Sequence, residues 1–251
     1  LGPSGYTLLD RSGRGNHGTL TNMDAGSDWV GGPGGWALDF DGTNDHLNYG
    51  TSLNLAGSKT ASFSAWVYRA TLGDMLLITR YSSGLGAGNL RADYFGVQSG
   101  QIYLFVGNST STLDYLLFLS TETITAGVWN HIAGSVFVDG TNSTCVLALN
   151  GKPCTVSASH SGTRPTSYAA NNTVPWRSMA ITGFSGTVAY YSGRLAEHAA
   201  WNTAKSVGEL CELNRLGNGW IGRELTQRAQ RRVFRTATGN RRRRLICGAE
   251  C

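Results

Sequence analysis

Ser62-Phe63-Ser64-Ala65-Trp66-Val67-Tyr68 decides how this chain is read. Phe63, Ala65 and Val67 alternate with Ser62, Ser64, Trp66 and Tyr68, a two-residue period that sends successive side chains to opposite faces of an extended strand. Aromatic rings fall on both faces, which predicts a strand in the middle of a sheet rather than at its rim.

Similar runs lie on either side. Residues 6–9, 36–40, 46–49, 75–79, 94–98, 102–106, 115–119, 131–138, 145–149, 155–157, 178–182 and 188–191 each carry strand-forming residues bounded by glycine-bearing or Ser/Thr/Asn-rich turns. With 34 glycines against 5 prolines and no helical pattern before residue 200, the spacing predicts an all-β fold, an antiparallel β-sandwich. The turn Asp41-Gly42-Thr43-Asn44 predicts a hairpin between 36–40 and 46–49. Trp36, Trp66 and Trp129 sit inside strand patterns and are assigned to the core. Trp176 follows the turn-like Asn171-Asn172-Thr173-Val174-Pro175 and is placed on a surface loop.

One helix is expected, over 206–216. Ser206 caps it with Glu209 three positions on, Val207, Leu210, Leu213 and Leu216 share a stripe, and Gly217 supplies the stop. This divides the chain into a sandwich domain, 1–217, and an Arg-rich tail, 218–251. The formal charge of +5 belongs to the tail. Up to Val207 there are 11 Lys+Arg against 12 Asp+Glu, a balance of −1, whereas from Gly208 there are 10 Arg against 4 Glu, a balance of +6. Residues 226–244 include four consecutive arginines, Arg241 to Arg244, and are expected to be a flexible segment that binds nucleic acid only nonspecifically through phosphates. No apolar stretch approaches the roughly 18 residues of a membrane helix, so membrane insertion is not expected. The chain opens on Leu1 and is read as a processed product or a piece of something longer.

Five cysteines, Cys145, Cys154, Cys211, Cys247 and Cys251, lack metal-finger spacing. A two-residue turn at Asn150-Gly151 sets Leu147 opposite Cys154 and Val156 opposite Cys145, which leaves the two sulfurs only diagonal neighbours. They are expected to be reduced.

Four segments, in order, carry a family resemblance: Asp10-Arg11-Ser12-Gly13-Arg14-Gly15-Asn16-His17-Gly18, Ala37-Leu38-Asp39-Phe40-Asp41-Gly42-Thr43-Asn44-Asp45, Phe63-Ser64-Ala65-Trp66-Val67, and Gly193-Arg194-Leu195-Ala196-Glu197-His198-Ala199-Ala200-Trp201-Asn202. Trp129-Asn130-His131-Ile132-Ala133 and Leu149-Asn150-Gly151-Lys152 lie between the last two. In this order they resemble the laminin-G-like, concanavalin-A-like jelly-roll family over residues 6–216. The resemblance implies a jelly-roll sandwich and leaves the ligand open, because that architecture hosts lectins, adhesion modules, hydrolases and shell domains.

Asp10 and Asn16 offer oxygen ligands in a loop whose glycines let carbonyls turn inward, which suits calcium. The same loop is equally read as one held by Asx and Ser turns with no ion. The resemblance adds Glu197 as a third metal ligand, although Ala196 stands where the family commonly has Asp. Asp39, Asp41 and Asp45 form a second acidic cluster, for which turn formation is the commoner explanation.

Glucanases of this fold use closely spaced carboxylates on one strand. Here the only glutamates before the helix are the isolated Glu122 and Glu197, so no enzyme is expected. Sugar binding needs ring faces beside polar groups, and Tyr103, Tyr115 and Trp176 are the candidate ligand-binding residues. The expected function is a noncatalytic module that recognises carbohydrate or a glycoprotein surface, in an adhesive role, on a secreted protein or a virion. The alternatives are a decorative sandwich used in assembly and a glycoside hydrolase.

Overall fold

The computed structural model describes residues 5–51, 53, 55–80, 93–107, 114–168, 174–182 and 188–216. Along the chain the strands are β1 (Thr7–Leu8), β2 (Gly18–Thr21), β3 (Trp29–Gly32), β4 (Gly35–Asp41), β5 (His46–Asn48), β6 (Thr60–Tyr68), β7 (Met75–Thr79), β8 (Tyr94–Gln98) and β9 (Gln101–Gly107). There follow β10 (Tyr115–Thr123), β11 (Trp129–Phe137), β12 (Thr144–Leu149), β13 (Lys152–Pro153), β14 (Val156–Ser161), β15 (Arg177–Ser178), β16 (Ala180–Thr182), β17 (Val188–Tyr190) and β18 (Ser192–Trp201), then the helix α1 (Val207–Leu213).

They form an antiparallel sandwich. One sheet has nine strands in the order β1-β2-β5-β15-β7-β8-β9-β10-β14, and the other has seven, β13-β12-β11-β6-β18-β4-β3. As the alternation predicts, β6 is interior, paired with β11 along its whole length and with β18 on its other side. Ala61, Phe63, Ala65 and Val67 point between the sheets, where the Phe63 ring stacks on Phe95 of β8 at 5.4 Å.

Several expectations fail for physical reasons. The runs 36–40 and 46–49 form no hairpin, because β4 pairs with β3 and β18 while β5 pairs with β2 and β15 in the opposite sheet. Asp41 accepts the N–H groups of Thr43 and Asn44, and Asp45 accepts that of Asp41, so the turn forms but carries the chain across the sandwich. The Asn150-Gly151 turn stands at positive φ, 51° and 76°, as a tight hairpin requires. Cys154 N–H does reach Leu147, but the ladder ends there. Val156 belongs to β14 and pairs with Ser120 in the other sheet, not with Cys145. Cys145, Cys154 and Cys211 are free thiols.

The tryptophans are redistributed. Trp66 and Trp129 share the outer face of the seven-stranded sheet and are half-buried, while Trp36 is 45% exposed. Trp176 does precede a strand in irregular chain, yet only 1% of it is exposed. It packs in the core beneath the Arg80 guanidinium, 4.9 Å from its ring, and Arg80 is paired with Asp93 at 2.6 Å. Burial pushes the Asp93 carboxyl up to about 6 against the pull of Arg80.

A polar chain ties the sheets together. Register shifts between Ala196 and Ala199 of β18, and this bulge turns His198 inward to Tyr49, whose hydroxyl also meets Ser178 at 3.0 Å. Ser178 donates to the Leu77 carbonyl. Each hydroxyl donates once if His198 Nε2–H donates to Tyr49 and Tyr49 donates to Ser178, which assigns the proton to Nε2.

The helix starts as predicted, with both bonds of the Ser206–Glu209 capping box present. Leu210 and Leu213 pack on Ala133 and Ala148, and Ser62 and Ser135 accept the Lys205 N–H. Among the described residues the helix therefore covers one end of the outer face. Gly217, Cys247, Cys251 and the basic stretch 226–244 lie outside the described residues.

Two predictions follow from this packing. Trp176→Ala should cost about 3–5 kcal/mol in urea unfolding through lost burial and a residual cavity, whereas Trp36→Ala should change stability by less than about 1 kcal/mol. The reverse order would contradict the placement of both rings. Burial also lowers the His198 ring to about 4 from an ordinary 6.5, so between those values the unfolded chain binds more protons and stability falls as pH drops through that window. Asp93 and Glu197, both raised by burial, act in the opposite sense. The histidine effect is thus a difference between proteins: melting temperature should fall less steeply from pH 6.5 to 4 in His198→Gln than in the parent, and equal slopes would refute it.

Candidate functional site

The expected site residues separate into three places. Tyr103 and Tyr115 lie on the outer face of the nine-stranded sheet with Tyr94 and Phe105. The rings stack in the order Tyr103, Tyr94, Phe105, Tyr115, at centroid distances of 4.9, 4.4 and 4.9 Å, and the Tyr94 and Tyr103 hydroxyls meet at 2.8 Å. Such a stack spends ring faces on one another. Tyr103 is 6% exposed and Phe105 3%, while Tyr115, at the end, is half-buried. Trp176, inside the sandwich, joins neither tyrosine.

The loop carrying Asp10 and Asn16 does approach the β18 bulge that holds Glu197. Gly18 abuts the Tyr49 ring, and the Arg11 charge is felt at Glu197. The donor set is short for calcium, which takes about six to eight oxygen ligands. The two Asp10 carboxylate oxygens already accept from the Ser12 N–H and hydroxyl and the Asn16 N–H, an Asx turn. Burial pushes Asp10 up, but those bonds outweigh it and hold the carboxyl below its usual value. Glu197 stands at φ 46° and is raised by burial, with the Arg11 charge pulling the other way. Among the described residues no three His, Cys, Asp or Glu side chains converge to hold a metal ion. Asp41 and Asp45 hold their turn, and Asp39 is paired with arginine.

That arginine belongs to a row of which the sequence reading assigned one member, Trp129, to the core. Across four adjacent strands of the seven-stranded sheet, Asp39, Arg194, Tyr68 and Trp129 stand directly opposite one another, in a single row on the outer face. The Arg194 guanidinium lies 5.2 Å from the centre of the Tyr68 ring and 2.9 Å from Asp39, with the two charged side chains 39% and 37% exposed. The Tyr68 and Trp129 rings are 5.8 Å apart and tilted by 53°, so they do not cover each other face to face. Behind them, Trp66 leans on His131, which burial lowers to about 4 and which is bonded to Ser64, so the second row is uncharged at neutral pH.

The β3–β4 hairpin closes one side of the row. A Cβ at Gly32 would lie 2.7 Å from that of Ala37 and 3.1 Å from the Trp129 ring, so only glycine lets this strand seat against the indole. The signal for this row was already in β6, where Trp66 and Tyr68 share the parity of Ser62 and Ser64, opposite to the apolar Phe63, Ala65 and Val67.

The comparisons with known proteins agree with the sandwich. The laminin G family profile described as concanavalin A-like lectin/glucanases superfamily matches residues 41–211. No curated protein matches the chain. Among solved structures, domain 4 of AbnA, a GH43 extracellular arabinanase from Geobacillus stearothermophilus, in complex with arabinotriose, is similar at 18% identity with a TM-score of 0.51, covering 78% of this chain and 87% of that one. The binding domain of Botulinum Neurotoxin DC in complex with SialylT is similar at 10% identity and TM-score 0.52, covering 84% of this chain and 49% of that one. The sialidase of Trypanosoma rangeli, in complex with 2,3-difluorosialic acid, is similar at 12% identity and TM-score 0.52, covering 88% and 33%. At these identities the likeness is one of fold, and the family profile spans most of the sandwich. This chain belongs to the laminin-G-like family of the concanavalin A-like lectin/glucanase superfamily.

Proposed function

We propose that this domain is a noncatalytic carbohydrate-binding module, displayed on a secreted protein or a virus particle, and that sugar lies along the Asp39–Arg194–Tyr68–Trp129 row. The observation that carries this reading is the row itself: two partly exposed, mutually tilted rings beside a guanidinium and a carboxylate, all on one rigid sheet face. Carbohydrate asks for both kinds of group, since its C–H faces pack on aromatic rings and its hydroxyls need donors and acceptors fixed nearby. Four strands at about 4.8 Å spacing give the row a span of roughly 14 Å, room for an oligosaccharide rather than one ring. Two proteins of similar fold support the ligand class, one in complex with arabinotriose and one with SialylT.

A hydrolase reading finds less support, although an arabinanase and sialidases are among the similar structures. Hydrolysis by two carboxyl groups needs an acid and a base flanking one bond. Asp93, the carboxyl raised most clearly, is sealed in the core with Arg80, and the Asp39 carboxylate in the row is committed to Arg194.

A glycan array tests the proposal. The parent should bind at least one oligosaccharide, equally in calcium and in chelator, since calcium has no part in this reading. Tyr68→Ala should weaken that binding about thirtyfold, the effect of losing about 2 kcal/mol at a central ring, while its melting curve shows a folded domain. Absence of binding by the parent, together with self-association in size measurements, would favour a structural sandwich used in assembly. Binding that Tyr68→Ala leaves intact would move the site elsewhere.

A further inference from the structure

We infer that the row selects neutral oligosaccharides and discriminates against sialylated, sulfated or otherwise acidic ones; this rests on the proposed binding site. Arg194 is the row's one cation, and recognition of an anionic sugar would require its charge to be available. It is not. Arg194 and Asp39 are directly opposed in the ladder, and Nε of the guanidinium meets the Asp39 carboxylate at 2.9 Å. The aromatic face of Tyr68 lies on the other side of the guanidinium. A carboxylate or sulfate approaching Arg194 would therefore meet Asp39 as a like charge and would have to displace it. A hydroxyl meets no such conflict, because the carboxylate still accepts and the remaining guanidinium N–H groups still donate.

The groups around the row add no second cation that the described structure turns toward it. Arg69, next to Tyr68 in the chain, donates to the Asp74 carbonyl. Lys205 lies over Trp201 at 4.6 Å, in the part of the face where the helix docks. His131, in the row behind, is buried and bonded to Ser64. Discrimination thus comes down to one ion pair, and removing its acidic half should reverse it.

The experiment is a titration of the parent, Asp39→Asn, Arg194→Gln and Tyr68→Ala against an array that carries neutral oligosaccharides together with the sialylated and sulfated form of each. The parent should bind the neutral member of a pair at least tenfold more tightly. Asp39→Asn, which frees the Arg194 charge, should gain affinity for the acidic member, and the gain should shrink as salt rises. Arg194→Gln should show no such gain, which separates released charge from a general loosening of the face. A parent that prefers acidic glycans and loses them in Tyr68→Ala would overturn the neutral selectivity and leave the binding site standing. A parent whose glycan binding is unaffected by Tyr68→Ala, or that binds no glycan, would overturn the site and this inference with it.

Discussion

The ladder that pairs β6 with β11 on one side and β18 on the other fixes the parity of every residue at the centre of the seven-stranded sheet. Once Val67 faces Asn130 and Leu195 across the ladder, Phe63, Ala65 and Val67 must enter the core and Trp66 and Tyr68 must leave it. A slip of one residue would put serines and two large rings between the sheets. Core and site are therefore two outcomes of the same register. The inward set builds the stack of Phe63 on Phe95, and the outward set aligns Asp39, Arg194, Tyr68 and Trp129.

The two faces of β6 are used differently along their length. Near its start, Ser62 is buried under the 202–205 segment, its hydroxyl donating to the Thr203 carbonyl and accepting from Lys205 N–H. Near its end Tyr68 carries the Arg194 guanidinium over its ring and stays only half-buried. The helix and its leading segment thus shelter the serines, whose small polar groups are satisfied there, and leave the aromatic end for contact. The β18 bulge contributes on the inner side by delivering His198 to Tyr49, whose hydroxyl also meets Ser178, which holds the site-bearing sheet on its partner.

Much of the fold was legible in the sequence because it is written in local chemistry. The two-residue period of 62–68 marks an interior strand, the Asn150-Gly151 pair marks a hairpin turn, and the Ser206 and Glu209 pair marks a helix start. What was not legible depends on distant partners. A turn such as that of Asp41 is identifiable from its residues, but whether the chain re-enters the same sheet or crosses to the other depends on which strands wait on each side. Trp176 follows a turn-like stretch, yet it is held inside by Arg80 and Asp93, far away in sequence. Trp66 and Trp129 were assigned to the core because they sit inside strand patterns, although parity placed Trp66 opposite Phe63 and Val67. The Asp10 loop was legible as an Asx-turned loop or as a calcium site, and its Asx turn is formed by the Ser12 and Asn16 N–H groups bonding to the Asp10 carboxylate. Tyr103 and Tyr115 share one outer face, as ring-bearing strands allow, but their stack with Tyr94 and Phe105 required the register of three strands.

The account makes the outer face of the seven-stranded sheet the recognition surface, with the opposite sheet's aromatic stack serving packing. A crystal structure of the domain soaked with a neutral oligosaccharide that it binds tests this most directly. The account predicts sugar rings over Tyr68 and Trp129, with hydroxyls bonded to Asp39 and Arg194. Sugar seated instead against Tyr115 and the edge strand β14, with the Tyr68 row bare, would contradict it.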